Sequence, residues 1–201
     1  MMPVVVIIVS FSVVIGLIVF IFRYTRQKNK EKNKLYNDLA LRLNLEYTES
    51  KNFLVMLPHV SGQLNGSYVE IYEKIVGSGK NQTVYTNVHF HNSPHSFQFR
   101  IGKEHFFSKM GKKLGFNDIE FDNLELDKKI LFKSMDEEQF RRLMDYKLLY
   151  ALEGIADGLR GTIYNDNNLL TYSFAGVVNK TDKMTQLENV IKFMGSLAQK
   201  K

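Results

Sequence analysis

Hydrophobic and polar positions divide the chain into three regimes. From Pro3 to Phe22 only Pro3, Ser10, Ser12 and Gly16 interrupt an apolar run, and no charged side chain occurs before Arg23. Arg23, Arg26, Lys28, Lys30, Lys32 and Lys34 then follow, with Glu31 as the single acid among them. Beyond Lys34 apolar residues recur with two periods. Leu35, Leu39 and Leu43, beside Tyr36 and Ala40, form one stripe and predict a helix over roughly 31–44. Residues 67–102 alternate instead. Val69, Ile71 and Ile75, then Val84, Val88 and Phe90, then Phe97, Phe99 and Ile101 alternate with polar or tyrosine side chains. That pattern predicts a β-meander, packed on one face and wet on the other. Gly77–Asn81 and Asn92–Pro94 supply its turns, and a shorter strand over 59–64 joins it through Asn65-Gly66, a strong hairpin signal.

The remainder reads the same way. Phe106, Met110 and Leu114 predict a helix stopped by Gly115. Residues 129–133 form a candidate strand. Ser134 and Glu137 resemble a capping box for one helix carrying Phe140 through Ile155 and ended by Gly158. Residues 159–164 and 169–178 flank Asn165–Asn168 as a second hairpin. Met184, Leu187, Ile191, Met194 and Ala198 mark a last amphipathic helix, capped by Thr181 or Asp182. The expected class is α+β, a mainly antiparallel sheet (β-meander) with about four helices in residues 35–201.

The apolar run has the length of a bilayer core, about 30 Å at about 1.5 Å per residue. It lacks the charged leading region and small-residue cleavage site of a signal peptide. Residues 1–22 are therefore expected to be a transmembrane helix and 23–34 a basic juxtamembrane linker. Positive charge marks the cytoplasmic flank of a span. This gives a single-pass cell-membrane protein with its amino terminus out and residues 35–201 cytoplasmic. Arg23, Arg26, Lys28 and Lys30 are candidate contacts for anionic lipid headgroups.

Charge changes the picture only when located. The chain has 27 Lys+Arg against 21 Asp+Glu, a net +6 and a pI near 9.3. The segment from Arg23 to Lys34 carries most of that excess, so the folded part is nearly neutral and no nucleic-acid partner is expected. The absence of cysteine excludes a disulfide scaffold or a thiolate zinc module.

Candidate chemistry is sparse. Gly77-Ser78-Gly79-Lys80 lacks the spacing of a phosphate-binding loop and is expected to be a hairpin turn. His89 and His91 share a strand face, with His95 and His105 nearby; converging imidazoles suit a transition metal, so a metal-dependent hydrolase is one alternative. Asp118, Glu120, Asp122, Glu125 and Asp127 fail the calcium-loop spacing and are expected to lie on a half-exposed extended segment. Tyr72, Tyr85, His89, His91 and Arg100 fall on the polar sheet face and form the candidate surface for an unknown protein partner. No catalytic residue, metal ligand or cofactor is assigned.

Leu39–Leu45 before Val60-Ser61-Gly62, the Ile71–Thr86 hairpin, the Gly111–Ser134 segment and the Leu169–Val178 strand together resemble a family of uncharacterised, single-pass, membrane-anchored bacterial proteins. The resemblance implies overall layout and no site residues. The expected function is a membrane-tethered protein-interaction or assembly domain, with a lipid-sensing module as a further alternative.

Overall fold

The computed structural model describes the backbone of residues 2–52, 55–107 and 115–200, and the side chains of 14–49, 57–106 and 115–200. Among the described residues six helices and nine strands occur in the order α1 (Met2–Leu43), β1 (Glu46–Asn52), β2 (Val55–Leu64), β3 (Ser67–Val76), β4 (Thr83–Phe90), β5 (Phe99–Gly102), α2 (Glu104–Phe107), β6 (Asn117–Ile119), α3 (Leu124–Lys129), β7 (Leu131–Ser134), α4 (Glu137–Leu143), α5 (Tyr146–Ala156), β8 (Thr162–Asp166), β9 (Leu169–Ala175) and α6 (Thr181–Gln199). All strands join one sheet in the order β1-β2-β3-β4-β9-β8-β5-β7-β6, antiparallel throughout.

One face of the sheet makes the core. Val60, Val69, Ile71, Val88, Phe90, Phe99, Ile101 and Phe132 are all fully buried on it. Helix α1 packs on β1 and β2, α6 on β4, and α5 against α6. Phe140 of α4 closes an aromatic group, its ring 5.3 Å from Phe99 and 5.9 Å from Phe121. Tyr36, Leu39, Ala40 and Leu43 form the buried stripe that the sequence predicts for the end of α1. Asn44 ends that helix in the left-handed conformation at φ 55°. The β2–β3 and β8–β9 turns use Asn65-Gly66 and Asn167-Asn168, all with positive φ, as two-residue hairpins of this twist require.

Several expectations are corrected. The predicted transmembrane helix over residues 1–22 is one: among the described residues no helix is long and apolar enough to cross a membrane. The helix continues unbroken through Arg23–Lys34 to Leu43.

The meander is also displaced. Strands β1 to β4 form it, while β5 lies between β8 and β7, because β9 takes the free edge of β4. The long helix after Ser134 is two helices, since Asp145 accepts from Leu148 N at 3.0 Å and starts a new one. Asp136 rather than Ser134 caps α4, accepting from Gln139 N at 2.9 Å. Lys180, without a side-chain cap bond, precedes α6. The acidic stretch holds β6 and the capped α3 instead of an extended run: the Asp127 carboxylate accepts from Phe121 N and Asn123 N. Met110 and Leu114 of the predicted 106–114 helix lie outside the described residues. The Gly77–Lys80 segment is a hairpin turn, with a single 3-10 turn at Gly79–Asn81.

Candidate functional site

The outer face of β2, β3 and β4 carries the residues with chemistry. Strand pairing sets His59 opposite Tyr72 and Tyr72 opposite Asn87; Glu70 faces His89, and Lys74 faces Tyr85. Side chains two apart on a strand share a face, so His91 joins His89 and Tyr68 joins Glu70. The result is a compact group. Glu70 places Oε2 2.7 Å from His91 Nε2 and Oε1 3.4 Å from His59 Nε2. The Tyr72 hydroxyl lies 3.4 Å from His89 Nε2, and its ring meets the His89 ring edge-on at 5.2 Å. The Tyr68 ring is 5.5 Å from that of His91.

Electrostatics follow from this packing. Partial burial pushes the Glu70 carboxyl up, but hydrogen bonds and charge from His91 and His59 outweigh it and hold the group below its ordinary value. Burial, and next the neighbouring His91, lower His89 below the ordinary histidine value, which favours the neutral ring with a free lone pair. Burial, and then Glu70, raise the Tyr72 hydroxyl, so it stays protonated.

Four of the five sequence-predicted partner residues, Tyr72, Tyr85, His89 and His91, thus share one surface. Arg100 does not. It sits on β5, separated from β4 by β9 and β8, and is 92% withdrawn from solvent at 8% exposure, its guanidinium 4.8 Å above the Phe116 ring. His95 also leaves the group: it is buried against α6, with Nε2 3.0 Å from the Leu197 carbonyl. Burial lowers its pKa, and the bond to Leu197 partly opposes that. His105 lies on α2, its ring against Phe106. Two members escaped the sequence reading, His59 and Glu70. The Asn65-Gly66 turn fixes the β2–β3 register, which brings His59 near Glu70, and the β3–β4 register brings Glu70 to His89 and His91.

The basic candidates Arg23, Arg26, Lys28 and Lys30 are exposed on α1, near exposed Phe20, Phe22 and Tyr24. Lys28 pairs with Glu31 at 3.3 Å and lies over the Tyr24 ring at 5.9 Å. Lys32, from the same basic run, behaves differently. Its Nζ is buried 2.7 Å from Glu73 Oε2, and the Tyr36 hydroxyl donates to Glu73 Oε1 at 3.1 Å.

No protein-family model matches the chain, and no curated protein matches it. Among solved structures it is similar to the crystal structure of the mycobacterial trehalose monomycolate transport factor A, TtfA. The TM-score is 0.52 at 14% identity, over 83% of this chain and 94% of that one. At that identity the two share a fold.

Proposed function

We propose that this chain is a transport-associated binding module that holds a protein partner rather than catalysing a reaction. Its working surface is the polar face of β2–β4. The observation that carries this reading is the concentration there of Tyr68, Tyr72, Tyr85, His89 and His91, partly exposed on a regular antiparallel ladder. Tyrosine supplies a large contact area with a polar tip and few rotamers to lose, which is why it is enriched at interfaces. The transport association draws support from the fold shared with trehalose monomycolate transport factor A. A position at an anionic lipid surface draws support from α1, where exposed Phe20, Phe22 and Tyr24 adjoin Arg23, Arg26, Lys28 and Lys30. Aromatic rings favour the membrane–water boundary, and basic side chains favour anionic headgroups.

The test is co-purification of the full chain from its own cells, wild type against the Tyr85→Ala/His89→Ala double variant. The double variant is expected to keep its melting temperature and lose the bound partner. An unchanged partner set removes the surface assignment.

A further inference from the structure

We infer that Glu70, His89 and His91 form a binding site for a divalent transition-metal cation, with His59 alongside. One carboxylate oxygen and two imidazole nitrogens are offered, and these atoms lie within 4.8 Å of one another. Zinc bonds such ligands at about 2.0–2.2 Å, so a common centre needs only small rotations of side chains that are partly exposed. The strands hold the set together: Glu70 and His89 are direct cross-strand partners, and His91 follows two residues along the same face. Access is open, with side-chain exposures of 36% for His91, 27% for Glu70 and 30% for His59.

The donor set selects the cation. Two imidazoles and a carboxylate without thiolate suit zinc, nickel, copper or iron(II); calcium and magnesium prefer all-oxygen shells. Three ligands projecting from one side of a sheet leave the outward coordination positions for water or a further group. His59, whose Nε2 is 3.4 Å from the second Glu70 oxygen, is placed to orient that carboxylate, and such supporting contacts tune metal affinity. The site rests on its own geometry and stands or falls apart from the partner-binding reading.

Zinc alone is the probe. The full chain, stripped with chelator, is titrated with zinc by calorimetry, in parallel with Glu70→Gln, His91→Ala, His59→Ala and His105→Ala. Wild type is expected to bind one equivalent and to melt at a higher temperature with zinc, as mass action requires. His59→Ala should weaken binding by about 10–100-fold, as loss of a supporting group does, Glu70→Gln and His91→Ala by more, and His105→Ala not at all. Melting without zinc checks that each variant is folded, and the conservative Glu70→Gln keeps the test informative if His91→Ala unfolds. Absence of binding by wild type overturns the site. So does binding that Glu70→Gln and His91→Ala leave intact, or that His105→Ala weakens equally.

Discussion

Replacing Glu73 with leucine is expected to destabilise the chain by about 3–5 kcal/mol, the range for breaking one side of a buried ion pair. Glu73 sits on the core face of β3 with a side-chain exposure of 0%, and Lys32 reaches it with 9%. In Glu73→Leu the Lys32 ammonium stays under the sheet with no counter-charge, and the Tyr36 hydroxyl loses its acceptor. Burial, followed by the Glu73 charge, holds that hydroxyl far above its ordinary pKa, so it remains a donor in need of a partner. The triple variant Lys32→Met/Tyr36→Phe/Glu73→Leu removes every stranded polar group. It is expected to recover most of the loss, because well-packed apolar replacements of buried pairs are often neutral or better. Urea unfolding of the full chain measures both. A single-variant loss below about 0.5 kcal/mol would show that the pair does not hold α1 to the sheet. The pair matters beyond stability: it marks where α1 passes from its exposed apolar and basic stretch into the packed domain.

The second large effect is expected at Gly161, just before β8. A Cβ there would stand 2.1 Å from the Ser173 carbonyl oxygen and 2.7 Å from Phe174 Cβ. Ser173 pairs with Thr162 on one side and Asn87 on the other, so β9 cannot retreat without opening a ladder. Gly161→Ala is expected to cost about 3 kcal/mol or more, the upper end for overpacking. Gly154, in the last turn of α5 with nothing within 4 Å of an added Cβ, gives the contrast. There alanine is expected to stabilise by about 0.5–1 kcal/mol through helix propensity. Thermal melting of the two variants checks the opposite signs; equal effects would contradict the close approach at Gly161.

How much of this was legible in the sequence varies by element. Alternation around Val69, Ile71, Val88 and Phe90 identified which side chains turn inward, because period two is a property of the strand itself. Asn65-Gly66 identified a hairpin, because few residues tolerate positive φ at both turn positions. Neighbour choice was not legible: β5 alternates correctly at Phe99 and Ile101, yet its partners β7 and β8 follow only after other elements intervene. Strand β1, Glu46–Asn52, was invisible because it is a polar edge strand with no apolar face to alternate. The split between α4 and α5 was missed because the apolar positions from Phe140 to Ile155 keep helical spacing across it, and Asp145 reads as an ordinary polar position until its cap bond is seen. Glu73 stands between Ile71 and Ile75 on an apolar face, a local conflict whose resolution, the pair with Lys32 on α1, shows only in the structure. At the candidate site the His89–His91 spacing showed itself directly. Glu70 and His59 required the register of three strands together.

The central claim is that the outer face of β2–β4 is where this protein meets its partner. A photo-reactive residue placed in the full chain at Tyr72 or Tyr85, and separately at the exposed Tyr150 of α5, tests it most directly in the protein's own cells. The account predicts a discrete cross-linked product from Tyr72 and Tyr85 and none from Tyr150. A product from Tyr150 alone, or the same products from all three positions, would contradict it.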